Sequence, residues 1–178
     1  MDGVILVSSE TGFTKKYADW ISEETGFAVS SPDSSAKLIP SNVNIIIFGS
    51  PIYGGELKKQ KLLRRLLDEA GDTKIICFAT GLYPADEALE KRLRDRFIGK
   101  NRSDAAFYYL PGGLDKEKLK PARKTELFLY RMMMNRHPDK GEAERIFLKR
   151  TGDSADYTDR GLLKPLLEDI ENHKKKRK

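Results

Sequence analysis

The sequence predicts an α/β fold built on a parallel β-sheet. Three observations lead there. Short apolar runs rich in β-branched and aromatic residues recur at 4–7, 43–48, 74–79 and 105–110. Stretches with leucine and isoleucine at helical spacing lie between them. Each run opens into a loop of glycine, hydroxyl and aromatic residues. Continuous apolar runs bounded by turn residues read as strands buried on both faces. Strands alternating with helices give a parallel sheet with right-handed crossovers.

Taken in order, residues 4–7 (Val-Ile-Leu-Val) form the first strand and run into Ser8-Ser9-Glu10-Thr11-Gly12-Phe13-Thr14. A helix follows over 13–24, with Ala18, Ile21 and Trp20 on its inner side and Gly26 at its C-cap. Residues 27–29 make a short strand, and 30–42, rich in Ser, Pro and Asp, a loop. The strand at 43–48 leads into Gly49-Ser50-Pro51-Ile52-Tyr53-Gly54-Gly55. A helix over 56–69 carries Leu57, Leu62, Leu63, Leu66 and Leu67, with Glu56 as its first residue, where an acid suits the dipole. The strand at 74–79 opens into Thr80-Gly81-Leu82-Tyr83-Pro84 before a helix over 85–98. The strand at 105–110 opens into Pro111-Gly112-Gly113-Leu114-Asp115. Residues 116–150 break the alternation, and within them 127–134 is apolar almost all round. The last helix spans 156–171, capped by Asp156 or Thr158, with Leu162, Leu163, Leu166, Leu167 and Ile170 as its apolar stripe.

The 178 residues suit one domain over 1–173, with a basic tail at 174–178. No run approaches the roughly 18 apolar residues of a spanning helix. The N-terminus lacks the basic-then-apolar order of a secretory signal. Cys77 is the single cysteine and sits in a strand, so it reads as packing, and the chain has no cysteine metal site. These features point to the cytoplasm. The net charge of +6 is uneven: residues 116–150 hold +6 and 174–178 hold +5, leaving −5 for the rest. A basic arm and tail on an acidic body suit an anionic partner, such as a membrane surface, as well as a plain solvated face. Nucleic acid is not expected, because no aromatics interleave the basic residues of the tail.

Several hydroxyl- and glycine-rich loops at strand C-termini suggest one ligand lying across the top of the sheet. Helix N-termini there offer unpaired N–H groups and partial positive charge, which suit a phosphate. The first loop lacks GxGxxG, which argues against a dinucleotide site, and lacks GxxxxGK[ST], which argues against a nucleoside triphosphatase. A hydroxyl-rich cradle without lysine suits a monophosphate, with Tyr53 and Tyr83 flanking a flat ring.

Ser9-Glu10-Thr11-Gly12-Phe13-Thr14 resembles the [ST]-x-T-G-x-T phosphate loop of flavodoxins. Ser50-Pro51-Ile52-Tyr53-Gly54-Gly55 and Thr80-Gly81-Leu82-Tyr83 are similar to that family's second and third flavin loops. The S-P-I-Y-x-G loop, and the G-G-L-D stretch at 112–115 followed by Arg131 to Met134, resemble the branch that includes menaquinone-dependent protoporphyrinogen IX dehydrogenases. The resemblance implies a three-layer sandwich with a five-stranded parallel sheet in the order 2-1-3-4-5, and FMN at the switch point. By this resemblance Ser9, Thr11, Gly12, Phe13 and Thr14 hold the phosphate, with Glu10 pointing away. Ser50, Pro51, Ile52, Tyr53 and Gly54 lie beside the ribityl chain and ring. Thr80, Gly81, Leu82 and Tyr83 meet the pyrimidine edge, and Gly112 touches the rim. Tyr53 and Tyr83 also have a turn-packing reading.

The same resemblance implies an FMN oxidoreductase of the protoporphyrinogen dehydrogenase type that passes electrons to a quinone at or near the inner face of a membrane. Two other readings stand beside it. One is an electron carrier that serves protein partners and has no substrate; the other is a flavodoxin-fold module that has lost its flavin. The basic chain departs from acidic electron carriers, and 116–150 is longer than in short flavodoxins. No side chain stands out as a catalytic acid or base: His137 and His173 read as solvent-facing, and Asp115 as a turn or cap residue. The 127–134 run reads as helix packing, as a lip for a hydrophobic substrate or quinone, or as an interfacial helix whose basic flanks suit anionic headgroups.

Overall fold

The computed structural model of the chain describes residues 3–32, 43–100, 102, 104–137 and 139–176. The loop expected over 30–42 falls outside them from residue 33, as do the last two residues of the tail.

The element order is β1 (Gly3–Val7), α1 (Phe13–Thr25), β2 (Ala28–Ser30), β3 (Ile45–Tyr53), β4 (Glu56–Leu57), α2 (Gln60–Glu69), β5 (Lys74–Gly81), α3 (Glu87–Phe97), β6 (Ala106–Pro111), β7 (Gly113–Leu114), α4 (Pro121–Arg136), α5 (Glu142–Arg150), β8 (Ala155–Asp156), a 3₁₀ turn (Arg160–Leu163) and α6 (Lys164–Lys176). The main sheet runs β2-β1-β3-β5-β6, all parallel. Counting the five predicted strands, this is the order 2-1-3-4-5. The order reverses between β1 and β3, so the loops after those strands diverge and leave a crevice.

Alternation along each strand makes the three layers. Ile46 and Phe48 of β3, with Ile75 and Cys77 of β5, face the leucines of α2 and Phe97 of α3. Ile45 and Ile47, with Ile76 and Phe78, face Tyr17 and Ile21 of α1 and Leu166 and Ile170 of α6. Successive side chains leave a strand on opposite faces, so a strand covered on both sides must be apolar at every position. Cys77 is fully buried, and burial pushes its thiol far above the ordinary value, which fits packing.

The structure differs from the sequence reading in several places. β3 starts at Ile45 and runs on through Tyr53, and β5 runs through Gly81, so Gly49 to Tyr53, Thr80 and Gly81 end strands rather than form loops. Glu56 is not the first residue of a helix. It pairs with Tyr53 in β4, and Gly54 (φ 55°) and Gly55 (φ 80°) form the two-residue turn of a hairpin. Two consecutive positive φ angles match strand twist, and glycine takes them without steric cost. The last helix starts later than 156: Asp159 accepts the Gly161 N–H at 2.8 Å to cap the 3₁₀ turn, and α6 begins at Lys164 with Pro165 in its first turn. Asp156 instead pairs with Gly113 between β8 and β7. Finally, α6 continues through Lys176, so Lys174, Lys175 and Lys176 form its last helical turn. Cations there suit the negative end of the helix dipole.

Candidate functional site

The crevice begins at the N-terminus of α1. Gly12 caps this helix at φ 98° with no side-chain hydrogen bond to the first turn, and that turn holds no acid. An α-helix leaves its first N–H groups without intrahelical partners, so this end is open to an anion. Three hydroxyls surround it. Ser9 Oγ accepts the Gly12 N–H at 3.1 Å, and Thr14 Oγ1 lies 2.8 Å from Thr80 Oγ1, joining the first loop to the third. Thr11 and Tyr53 line the same small cavity, bringing the first loop beside the end of β3. The backbone completes the clamp: the Ser8 N–H donates to Gly49 O at 2.9 Å, and the Gly112 N–H donates to Gly81 O at 2.7 Å.

Glu10 is held by cations from the turn after β4 and from α4. Its carboxylate meets Lys58 Nζ at 2.7 Å and Arg123 Nε at 4.0 Å. The Lys58 hydrogen bond holds the Glu10 carboxyl below its ordinary value. Arg123 also meets Glu126 at 2.5 Å. Its guanidinium lies 4.6 Å from the Tyr53 ring centre. Burial raises the Tyr53 hydroxyl above its usual range, so Tyr53 stays a neutral donor.

The other ring-flanking candidates are held by the protein itself. Ser50 is fully buried, and its hydroxyl donates to the Lys58 carbonyl. Tyr83 stacks on Phe147 of α5, with ring centres 4.7 Å apart and planes 26° apart. Its hydroxyl sits 3.3 Å from that of Tyr130 on α4. Arg150 donates to the Leu82 and Tyr83 carbonyls at 3.3 and 3.0 Å, and the Tyr109 hydroxyl donates to the Tyr83 carbonyl at 3.1 Å.

Two adjoining cavities follow from this arrangement. The smaller, about 60 Å³, is lined by Thr11, Phe13 and Thr14 where the first loop meets α1, Pro51, Ile52 and Tyr53 at the end of β3, Thr80, Gly81 and Leu82 at the end of β5, and Gly112 after β6. The larger, about 310 Å³, shares Ile52, Tyr53, Gly81 and Leu82 with it and continues under α4 toward Leu89 and Arg92 of α3. Gly54 and Tyr83 line this larger space. It reaches the lower end of the range for small-molecule sites, roughly 300–1,000 Å³. Of the sixteen predicted site residues, twelve line these two cavities, and Ser9, Glu10, Gly12 and Ser50 line neither. Ser50 and Glu10 are turned to structural partners.

Sequence reasoning offered the 127–134 run as a lip but did not single out Arg123 or Phe147. Arg123, Leu127 and Tyr130 of α4 line the larger cavity, together with Phe147 of α5. Their signal was present: Arg123, Leu127, Tyr130 and Met134 fall at i, i+4, i+7 and i+11, one stripe of a helix. Asp115 has the expected turn role, accepting the Glu117 and Lys118 N–H groups at 3.1 and 3.2 Å. His137 is exposed, whereas His173 is half-buried. Among the described residues, no cluster of three or more His, Cys, Asp or Glu is placed to hold a metal. No described helix is long and apolar enough to cross a membrane.

Residues 4–142 match the family model described as flavodoxin domain. Among solved structures, the chain is similar to a flavodoxin from the domain Archaea, at 16% identity and a TM-score of 0.40, covering 85% of this chain and 96% of that one. It is also similar to the two-electron reduced flavodoxin of Megasphaera elsdenii, at 15% identity and a TM-score of 0.38, covering 85% and 98%. No curated protein matches it.

Proposed function

The chain belongs to the flavodoxin-domain family, and on that premise we propose that it is an FMN-binding oxidoreductase that moves electrons between a hydrophobic substrate and a quinone. The observation that carries the flavin reading is the uncapped N-terminus of α1 among the hydroxyls of Ser9, Thr11 and Thr14. These donors fit a phosphate monoester dianion, held by neutral N–H and O–H groups. Thr11, Gly12, Phe13 and Thr14 would hold the phosphate. Tyr53, Gly54, Gly81 and Leu82 would border the ring. When bound, the flavin supplies the electron chemistry, and the chain supplies binding, orientation and local charge.

The finer reading, a protoporphyrinogen dehydrogenase that hands electrons to a quinone, draws support from the larger cavity. Its walls include Ile52, Leu82, Leu127 and Phe147, its polar lining includes Arg92 and the Glu56-paired Arg96 as well as Glu126 and Glu144, and it shares residues with the proposed phosphate cradle. Apolar walls suit a hydrophobic ring, and the arginines suit carboxylates. A second reading, an electron carrier for a redox protein partner, is favoured by the side chains that already fill the region around Tyr83.

An absorbance scan of the purified protein, then anaerobic mixing with protoporphyrinogen and a menaquinone analogue, separates these readings. We expect a yellow protein whose flavin is reduced by the porphyrinogen and reoxidised by the quinone. Flavin that is bound but indifferent to both compounds would leave the carrier reading. Protein that stays colourless after FMN is added would remove both.

A further inference from the structure

The outer face of α4 has no task in this scheme. Among the described residues, the large apolar side chains that stand exposed are Phe128 (65%), Leu129 (51%), Met132 (38%) and Met133 (53%), and all four lie on α4. Residues 128, 129, 132 and 133 fall at i, i+1, i+4 and i+5, so they form one stripe. The opposite stripe, Arg123, Leu127 and Tyr130, is turned to the cavity. Lys124 and Arg136 are exposed near the two ends of the outer stripe. The single carboxylate between them, Glu126, is half-exposed and ion-paired with Arg123 beside the hairpin glycine Gly54. The outward face of α4 therefore carries Lys124, Arg136 and four apolar groups, with its one acid, Glu126, at the edge and neutralised by Arg123, on a chain with 27 Asp and Glu.

We propose that this face of α4 docks on an anionic lipid surface, with Phe128, Leu129, Met132 and Met133 entering the headgroup layer and Lys124 and Arg136 meeting lipid phosphates. Charge complementarity selects this occupant. An interfacial helix needs an apolar stripe flanked by cations, and carboxylates near it would be repelled by acidic headgroups. The four side chains also stand out from a convex helix rather than lining a groove. That shape suits a soft, deformable layer better than a structured protein partner. Docking in this pose lays the lipid against the roof of the larger cavity, where an apolar molecule leaving the bilayer meets Leu127 and Tyr130. The lipid contact does not depend on bound flavin, so it stands or falls separately from the proposed function.

The test is co-sedimentation of the full chain with vesicles of phosphatidylcholine alone and of phosphatidylcholine mixed with phosphatidylglycerol. We expect binding to the mixed vesicles, weakened by added salt, and little binding to phosphatidylcholine alone. The double variant Phe128→Ser/Met133→Ser should bind the mixed vesicles about tenfold or more weakly, because two apolar side chains no longer leave water. Its thermal unfolding should be unchanged, since both side chains are exposed. A second variant, Lys124→Glu/Arg136→Glu, should lose the preference for phosphatidylglycerol. The proposal is overturned if wild type ignores mixed vesicles, or if the Ser variant binds them as wild type does. It is also overturned if neutralising Lys174, Lys175 and Lys176 abolishes binding while the α4 variants leave it intact, since the C-terminal helix end would then be the lipid site. Loss of a dimer in the Ser variant, with no vesicle binding by wild type, would show the face to be an interface between copies.

Discussion

The two ends of the crevice are built differently. At the proposed phosphate end, Ser9, Thr11 and Gly12 of the first loop and Thr14 of α1 lie within six positions of one another, and the helix end beside them is left open. At the ring end, Tyr53 and Tyr83 are contacted by residues that lie far along the chain: Arg123 over Tyr53, and Phe147 and Tyr130 against Tyr83. A cradle made of backbone N–H groups and neighbouring hydroxyls is specified by local sequence. A stacking site is specified by whatever distant segment packs over it. Under the proposed flavin assignment, affinity would be changed through α1 and the ring environment through α4 and α5, separately.

The strongest way to break this contrast is at Thr11. Replacing Thr11 with Trp should fill the space beside the α1 N-terminus and weaken FMN binding about a hundredfold, since losing one or two charge-assisted hydrogen bonds costs about 1.5–3 kcal/mol each. Fluorescence titration measures this, and unchanged affinity would remove the phosphate assignment. The next largest effect is at the fourth loop. A Cβ on Gly113 would lie 2.4 Å from the Phe13 ring and 2.7 Å from the Ala155 carbonyl. Gly113→Leu should therefore destabilise the fold by about 1–3 kcal/mol in denaturant titrations, because the carbonyl is backbone and yields little. No loss of stability would mean that the first and fourth loops are not packed as described.

Smaller effects sharpen the ring end. If Arg123 competes with the flavin ring for the face of Tyr53, Arg123→Gln should tighten FMN binding by about three- to fivefold, the scale of one partly exposed cation–π contact. Weaker binding in this variant would show instead that Arg123 supports the ring. The smallest effect expected is a pH dependence through Glu10. Its folded carboxyl titrates below the ordinary 4.5, so the contact with Lys58 adds stability that is fully present above pH 4.5. That stability is lost as pH falls through the lowered folded value. The stability gap between wild type and Glu10→Gln should thus narrow in acid, read as the difference in denaturant midpoint near neutrality and below the carboxylate range. A gap that stays constant with pH would mean Glu10 carries no such linkage.

Much of the architecture was legible from pattern alone. The uncharged run of β1 and the continuous apolar core of β3 admit one reading, because strands covered by helices on both faces have no polar side to show. The leucines of α2 and the Gly26 cap of α1 likewise speak for themselves. Glu56 was misread because a glutamate before a leucine-rich stretch looks like a helix start. Two glycines in positive φ allowed a hairpin to come first, and α2 begins only at Gln60. The start of α6 was misplaced for a similar reason: Asp156, Thr158 and Asp159 are all good caps, and the winner depends on which neighbour is paired in β7–β8.

By itself the sequence determined the alternation of strands and helices and the gathering of small and hydroxyl residues at strand ends, while the order 2-1-3-4-5, now seen in the main sheet, came from the resemblance to flavodoxins. The alternation follows from the period of apolar residues, which is a local property of the chain. Only the tertiary structure decided that Ser50 is spent on the Lys58 carbonyl, that Tyr83 rests on Phe147, and that α4 roofs a second cavity while turning Phe128 and Met133 outward. The physical reason is sequence distance. Stacking and ion pairs between residues some 60 to 110 positions apart, such as Tyr83 with Phe147 or Glu10 with Arg123, are set by how whole elements pack and leave no local pattern to read.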